Sequence, residues 1–228
     1  TTLPSGWFML ETGTAQNITY TASTGSANTG DTYSFGAAGN SERAFGGVQS
    51  GNLSPTIGAG FNNGTNDTIG QIAISYVCEQ WRLGFAARTD RMDFQYSTDA
   101  TSLSTGTWAD YNALDCIAAN STGTVGAFDG NAAANRIIVT AVLSNTGVFS
   151  VPIGTNFWIR WTDFNATNSD DGLGVDDFSM NLFSPTAVTL SDLSASSTTS
   201  PAPIVFGVLG LTAAALLLRR RLARSTPN

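Results

Sequence analysis

One short stretch of the chain, "TDFNATNSDDGLGVDDF", concentrates oxygen-bearing side chains that are suited to binding a cation. Calcium is bound by six to eight oxygens from carboxylates, amides and backbone carbonyls, and a loop rich in Gly and Asn between two strands presents such groups. We therefore predict calcium as the one cofactor of this protein. The predicted ligands are Asp163, Asn165, Asp170, Asp171 and Asp176.

The acidic stretch is not an EF-hand, because no glutamate closes the loop and its glycines fall at other offsets. Since neighbouring residues of a strand face opposite ways, Asp176 and Asp177 do not both enter one site from a regular strand. An alternative interpretation stays open, in which these residues form turns and solubilise the edge of the domain.

Catalysis is restricted by composition, because the chain contains no histidine and no lysine. Ser-His-Asp and Cys-His catalysis, histidine metal sites and Schiff bases are therefore excluded. Glycoside hydrolysis needs only two acids, about 5 to 9.5 Å apart. The three glutamates, Glu11, Glu42 and Glu79, do not alternate with other acids along one strand, and Asp90 and Asp93 are off by one for a shared face. We expect a protein that is not an enzyme, with an Asp/Glu-dependent polysaccharide hydrolase as the alternative.

Arginines are concentrated in "CEQWRLGFAARTDRMDF", which holds Arg82, Arg88 and Arg91 beside acidic residues. In a domain this acidic, we expect these arginines to be ion-pair partners of the acids nearby, namely Glu79, Asp90 and Asp93. The alternative is a ligand clamp formed by Arg82 with Trp81. Both interpretations fit the sequence.

Exposed tryptophans provide a platform on which sugar rings stack. Trp7, Trp108 and Trp158 are candidates if they face outward, although most tryptophans of a sandwich lie in its core. The residues that we predict to bind a ligand are Trp81, Arg82 and Trp158.

Two cysteines, Cys78 and Cys116, enclose a loop of roughly forty residues. In an oxidising location a single disulfide is the natural interpretation, and it contributes about 3 to 4 kcal/mol. The alternative is two unpaired buried thiols. Two cysteines without histidine do not make a usual zinc site.

The charge balance disfavours nucleic acid as a partner. Residues 1–218 hold six arginines against seventeen carboxylates, a formal charge of −11. This sign is opposite to that of a phosphate-binding surface. An acidic exterior suits solubility and cation binding instead.

Short runs of aromatic and β-branched residues, separated by Gly, Asn, Ser and Asp, predict an all-β fold. In "NFWIRWTDF", Phe157, Ile159 and Trp161 fall on one strand face, and "TIGQIAISYV" places Ile72, Ile74 and Tyr76 together in the same way. No segment before residue 200 keeps a helical apolar period over three turns. We predict an antiparallel β-sandwich of jelly-roll type over residues 1–188. The predicted strands are Trp7–Leu10, Asn17–Ala22, Asp31–Phe35, Arg43–Val48, Thr56–Phe61, Ile69–Val77, Trp81–Ala87, Asp93–Tyr96, Thr107–Tyr111, Arg136–Val142, Asn156–Asp163 and Val175–Leu182.

A Ser/Thr/Pro-rich linker at residues 189–203 leads to a tail at 204–228, for which we predict one hydrophobic helix and an arginine cluster. The uncharged residues Ile204–Leu218 span roughly 22 Å as a helix, short of the about 30 Å of a bilayer core. Snorkelling arginine stems and a thinned bilayer still allow insertion. A buried helix is the alternative, but the segment is apolar all round. Arginines collect on the cytoplasmic side, so residues 1 to about 200 would lie outside the cytoplasm.

The order of these parts resembles the PEP-CTERM class of bacterial C-terminal sorting signals. Pro201-Ala202-Pro203 stands where that class usually has Pro-Glu-Pro, and Arg219, Arg220 and Arg221 follow the apolar segment. The resemblance implies export, recognition of the tail by a membrane sorting enzyme, cleavage near the motif, and release or attachment at the cell surface. Because Thr1 is not methionine, we also expect that a signal peptide has been removed.

A second resemblance covers residues 5–182 and rests on "SGWFMLETGT", "TGDTYSFGAAGNSERAFGGVQSG", "EQWRLG", "DRMDFQYSTDATSLSTGTW", "GNAAANR" and "FWIRWTDFNATNSDDGLGVDDFSM". These segments resemble a bacterial extracellular domain that accompanies secreted nucleases, surface repeats or sorting tails. The implied fold is a concanavalin-like jelly roll, and no ligand or reaction is implied. Cys78 and Cys116 stand where that family has Gly and an aromatic residue, a joint departure that favours their pairing.

We therefore expect an exported cell-surface or matrix protein that binds polysaccharide, a surface partner or further copies of itself. Self-association is included because a Ser/Thr/Asn-rich edge strand with few charges pairs readily. A third alternative is a membrane-anchored accessory subunit that keeps its tail and packs against other spans through Gly207 and Gly210.

Overall fold

Two β-sheets form the part of the chain that a computed structural model describes, residues 3–144 and 149–183. The predicted linker at 189–203 and the tail at 204–228, with Pro201, Pro203, Arg219, Arg220 and Arg221, lie outside the described residues. Within the described residues, no helix is both long enough and apolar enough to cross a membrane.

The first sheet contains six strands, β1 (Trp7–Thr12), β5 (Ser54–Asn62), β7 (Arg91–Ser97), β8 (Ala109–Asp110), β9 (Cys116–Ile117) and β12 (Asn156–Asp163). The second contains seven, β2 (Thr21–Ser23), β3 (Asp31–Phe35), β4 (Ala44–Val48), β6 (Gln71–Leu83), β10 (Gly126–Ala127), β11 (Arg136–Leu143) and β13 (Gly172–Phe183). Two short 3-10 helices, Asn112–Leu114 and Ala133–Asn135, lie in the connections.

The first sheet has the order β1-β5-β12-β7-β8, with β9 also pairing with β7. The second has the order β10-β6-β13-β4-β3-β2, with β11 also pairing with β6. Pairing is antiparallel throughout the described strands except between β2 and β3, which run parallel. The expectation of a wholly antiparallel fold is therefore wrong at this one edge. The connection at residues 24–30 returns the chain to the start of β2, so β3 runs in the same direction.

The core lies between the two sheets, where the predicted alternation is confirmed. Phe157, Ile159 and Trp161 of β12 are at most 1% exposed. Ile72, Ile74 and Tyr76 of β6 are equally buried and belong to the same hydrophobic cluster. These inward faces make the all-β domain a two-layer sandwich.

Strand β6 is continuous over 13 residues, where the sequence pattern predicts two strands broken near Glu79 and Gln80. Both polar side chains are fully buried and each makes at least one hydrogen bond within the fold, so the strand continues through them. The Gln80 amide donates to Asp171 Oδ2 at 2.8 Å and to the Asn120 carbonyl at 3.0 Å. Buried polar groups with partners are compatible with a central strand.

The predicted disulfide is confirmed, because Cys78 of β6 and Cys116 of β9 are bonded with their Cα atoms 5.2 Å apart. The two strands belong to different sheets, so the bridge ties the layers together across the core. It also fixes which way β6 faces. Since Cys78 points inward, its neighbour Glu79 points to the outer face of the second sheet.

A second hydrophobic cluster covers that outer face and contains Trp81 and Phe35, whose rings stack at 6.1 Å. Gly174 makes room for this layer, since a Cβ at that position would lie 2.9 Å from the Ala44 Cβ and 3.4 Å from the Phe35 ring. Outer-face residues of β6 and β13 are thereby partly removed from water.

Candidate carboxylate and groove site

Three carboxylates meet on the outer face of the second sheet. Glu42, Glu79 and Asp176 each place one oxygen within 4.8 Å of the others. They are the only such group of three acidic, histidine or cysteine side chains in the described residues. We call them the outer-face carboxylates.

Strand geometry explains why these residues converge although they are far apart in the sequence. Glu42 precedes β4, Glu79 lies in β6, and Asp176 lies in β13, which runs between those two strands. Asp176 is opposite Val77, which shares the face of Glu79, and Gly174 opposite Glu79 contributes no side chain. The three acidic groups therefore meet across neighbouring strands.

The outer-face carboxylates are incompletely hydrogen-bonded. Glu79 Oε2 accepts the Trp81 indole N–H at 2.8 Å, while its Oε1 is buried and has no partner. Glu42 Oε2 accepts the side-chain amide of Asn131, and its Oε1 is likewise buried without a partner. No arginine of the described residues forms a salt bridge with any of the three carboxylates.

This arrangement disfavours full ionisation of the group. Burial, the nearby Glu42 carboxyl group and the charges of Glu79 and Asp177 raise the pKa of Asp176 to about 7. Burial also raises the pKa of Glu79, against the opposing effect of its Trp81 hydrogen bond. Such shifts are typical of sites where like charges are held together for binding or chemistry.

A groove of about 480 Å³ includes Asp176 in its wall. Its aromatic wall residues form two pairs, Trp7 with Phe178 at 5.5 Å and Tyr20 with Phe45 at 5.6 Å between ring centroids. Its polar wall residues are Ser34, Ser41, Arg43, Asp176 and Asp177. We call this space the aromatic groove.

Arg43 is held in place in the aromatic groove. Its Nε donates to the Ser34 hydroxyl at 3.1 Å, and two further guanidinium nitrogens donate to the carbonyls of Ser34 and Ala37. A charged side chain that is fixed in this way presents its remaining N–H edge without further loss of rotamer freedom.

The five residues predicted to bind calcium are not brought together. Asp176 belongs to the outer-face carboxylates, and Asn165 is an exposed loop residue that lines a different groove with Asp170. Asp163, Asp170 and Asp171 are buried and lie near Asp90. We call Asp90, Asp163, Asp170 and Asp171 the loop carboxylates.

Most loop carboxylates are turned toward N–H donors. Asp171 Oδ1 accepts the Gly84 amide at 2.7 Å and its Oδ2 accepts Gln80. Asp90 Oδ2 accepts the Asp171 amide at 2.7 Å and forms a salt bridge with Arg88 at 2.9 Å. The oxygens of these carboxylates thus hold loops to the sheet by hydrogen bonds. For this reason they do not converge with Asn165 and Asp176 into the five-residue calcium site that the sequence predicted.

Asp163 is the exception among the loop carboxylates, because neither of its oxygens has a hydrogen-bond partner. Burial, together with the charges of Asp90, Asp170 and Asp171, raises its pKa well above the ordinary value. Burial likewise raises the pKa values of Asp170 and Asp171 to about 6 each. Burial and neighbouring negative charges both favour the neutral form of a carboxyl group.

Of the three residues predicted to bind a ligand, Trp81 and Arg82 lie in β6 of the second sheet and Trp158 lies in β12 of the first. Trp81 is 2% exposed and buried against Phe35, so its ring offers no face to a sugar. Arg82 lies opposite Gly172, where a Cβ would approach both the Arg82 Cβ and the Phe35 ring, so the stem of Arg82 is on the Trp81 side of β6. Its guanidinium donates to the Gly25 and Ser26 carbonyls at 3.4 and 3.5 Å and forms no salt bridge with Glu79 in the described part of the chain.

The remaining tryptophans occupy different environments. Trp158 is buried under Phe8, with ring centroids 5.0 Å apart. Trp108 is partly exposed, but the Arg160 guanidinium lies 4.0 Å over its ring. Trp7 alone of the three candidates lines the aromatic groove. The expected ion pairs of Arg88 with Asp90 and Arg91 with Asp93 are both present.

Sequence reasoning missed Glu42 and Asn131 at the carboxylates, and Tyr20, Phe45 and Phe178 at the groove. One signal was present, since Val77, Glu79 and Trp81 alternate with inward-facing Tyr76 and Cys78 and so share the outer face. Nothing in the sequence pairs this face with Glu42.

No family model and no curated protein matches the chain. Among solved structures, the chain is similar to the K3 cleaved adhesin domain of Lys-gingipain from Porphyromonas gingivalis W83. The two are 13% identical, the alignment covers 78% of this chain and 92% of the adhesin domain, and the TM-score is 0.45. It is also similar to the enzymatically active domain of tailspike protein 4 from bacteriophage CBA120, with 9% identity, coverage of 78% and 20%, and a TM-score of 0.37. A third similarity is to TmCBM61 in complex with β-1,4-galactotriose, with 11% identity, coverage of 64% and 74%, and a TM-score of 0.33. With TM-scores below 0.5, these similarities establish neither a family nor a ligand for this chain.

Proposed function

We propose that this protein is an exported, non-catalytic surface module that binds a carbohydrate chain in the aromatic groove. The observation that carries the proposal is the groove itself, in which partly exposed Trp7 and Tyr20 stand beside fixed polar groups. Its volume of about 480 Å³ falls in the range of sites for small ligands.

The chemistry of the wall suits a sugar. Aromatic rings pack against the apolar C–H faces of a sugar ring, and hydroxyl and charged groups hydrogen-bond to its edge. Among its lining residues, Ser34, Ser41 and Arg43 supply donors, and Asp176 and Asp177 supply acceptors. This combination favours a neutral polysaccharide over a nucleic acid, as does the acidic balance of the chain.

The alternative of an Asp/Glu-dependent hydrolase has weaker support. Glycosidases hold their two acids about 5 to 9.5 Å apart on either side of the substrate. The outer-face carboxylates have oxygens within 4.8 Å, and Glu79 is fully buried with its indole partner Trp81. Glycan turnover that is lost on changing Glu42 or Asp176 would be needed to adopt this alternative.

The proposed location is outside the cytoplasm, and the disulfide between Cys78 and Cys116 supports an oxidising compartment. In this proposal the sandwich has jelly-roll connectivity. A C-terminal helix at 204–218 inserts in the membrane, and the tail meets a sorting enzyme before display or release at the cell surface.

Further copies of the protein are additional partners. Strand β11 favours this, since in the described residues it pairs with β6 alone and leaves Ile138 74% exposed.

The full chain, screened on a glycan array and then titrated with the best glycan by calorimetry, tests the groove. We expect Trp7→Ala and Tyr20→Ala each to weaken binding by about 10-fold or more, as is typical when an aromatic anchor of a binding site is removed. Trp108→Ala is the matched control, because Trp108 is also partly exposed but lies under Arg160 outside the groove. Absence of glycan binding, or equal loss in Trp108→Ala, would overturn the proposal.

A further inference from the structure

We propose that Glu42, Glu79 and Asp176 form a binding site for a divalent cation, with calcium preferred. Two independent observations support this site. Three carboxylate oxygens lie within 4.8 Å of one another, and Glu79, which is 0% exposed, holds a buried oxygen with no hydrogen-bond partner. The site does not depend on what the aromatic groove binds.

Charge provides the physical reason for a cation. Isolated buried carboxylates are strongly disfavoured unless they are paired, protonated or bound to a metal. The arginine that acts on Glu79 is Arg136, which is exposed and forms no salt bridge with it in the described structure. A divalent cation would neutralise most of this charge and give the unpartnered oxygens of Glu42 and Glu79 a ligand.

The donor set selects hard cations, since all three ligands are carboxylate oxygens and the chain lacks histidine. The three oxygens lie within 4.8 Å of one another, close enough for one cation to contact all of them after small side-chain adjustments. Calcium accepts six to eight oxygens in a flexible geometry, whereas magnesium demands a near-ideal octahedron, so ligands from three separate segments favour calcium. Glu42 and Asp176 are only partly buried, which leaves room for water ligands.

The cation would fasten strands β6 and β13, the segment that precedes β4, and one loop. Asn131 donates to Glu42, and its neighbour Gly130 lies so close to Trp81 that a Cβ there would be 2.4 Å from the indole nitrogen. Trp81 in turn donates to Glu79. Binding at the carboxylates therefore stabilises the covering loop together with β6 and β13.

Thermal melts of the full chain test the site, with metal first removed by chelator and calcium chloride then titrated, and with no glycan present. At a concentration about 100 times its Kd, calcium raises the Tm of a domain of this size by roughly 5 to 10 °C. We expect Glu42→Gln and Asp176→Asn to lose most of this rise. Asp163→Asn, which changes a buried loop carboxylate outside the site, keeps it and serves as the matched control.

Terbium luminescence provides a readout that does not depend on stability. Trp81 is hydrogen-bonded to Glu79, so tryptophan excitation sensitises a terbium ion bound at the carboxylates, and calcium competes with it. We expect this emission to fall at least 10-fold in Glu42→Gln and Asp176→Asn variants that melt cooperatively.

The site would be overturned if millimolar calcium did not raise the Tm, or if the calcium-dependent rise were lost in Asp163→Asn alone. A response to magnesium but not calcium would overturn the calcium preference. Because no glycan is present, either failure leaves the groove proposal standing.

Discussion

The outer-face carboxylates and the loop carboxylates are two groups of buried acids with opposite surroundings. Asp171 and Asp90 have their oxygens directed at peptide N–H groups, Gln80 and Arg88. Glu42 and Glu79 each keep one oxygen without a partner and face Asp176 across neighbouring strands. In the dense acidic stretch of the sequence, the carboxylates hold loops to the sheet through hydrogen bonds. The geometry that suits a cation is instead formed where strands of the second sheet bring Glu42, Glu79 and Asp176 together.

The largest predicted effect is at Asp171, where Asp171→Ala leaves the Gly84 amide and the Gln80 side chain without their acceptor. We expect the free energy of unfolding to fall by about 3 kcal/mol, because buried donors lose a charged partner. Urea denaturation measures it. Asp67→Ala is the control, since Asp67 is exposed and should stay within about 0.5 kcal/mol. A loss below about 1 kcal/mol for Asp171→Ala would contradict the fastening role.

A smaller and opposite effect is expected at Glu79. In chelator at pH 8, Glu79→Gln removes a charge from the crowded group and keeps an acceptor for Trp81, so we expect stability to rise by about 1 kcal/mol. Glu11→Gln is the matched comparison, because buried Glu11 accepts the Thr32 amide and hydroxyl at 2.8 Å. It should lose about 1 kcal/mol. The same sign of change in both variants, measured by urea denaturation, would contradict the distinction between them.

The third prediction concerns pH. Asp170 and Asp171 have native pKa values of about 6 against an ordinary 3.8, so between these values the folded protein binds more protons than the unfolded one. As far as these two groups determine it, the free energy of unfolding is therefore highest below about pH 4 and declines as the pH rises through 6. Asp163→Asn removes one titrating group and should make this decline shallower.

Urea titrations in chelator at several pH values between 4 and 8 measure that decline. Wild type and Asp163→Asn are compared under identical salt, so that only the titrating group differs. Stability that rises with pH over this interval would show that the loop carboxylates are ionised and paired in the folded state.

Much of the sandwich followed from the sequence because it rests on local alternation. Phe157, Ile159 and Trp161 repeat with a period of two, and the pattern predicted their inward face correctly. The break expected near Glu79 and Gln80 was wrong because their partners, Trp81 and Asp171, become visible only when strands are paired.

The candidate site was less accessible to prediction. Asp176 was recognised as a cation ligand from its acidic neighbours, yet its companions in the fold are Glu42 and Glu79, which come from distant segments. Their convergence depends on β13 lying between β6 and β4, a fact of topology rather than of composition. The parallel pairing of β2 with β3 escaped prediction for the same reason.

We propose that the sheet, and not the acidic loop, holds the cation. Anomalous diffraction from crystals of the full chain soaked in terbium or calcium tests it most directly. We expect a peak among the oxygens of Glu42, Glu79 and Asp176, at about 2.3 to 2.6 Å from each for calcium. A peak bound instead by Asp163, Asp170 and Asp171, with none on the outer face of the second sheet, would contradict it.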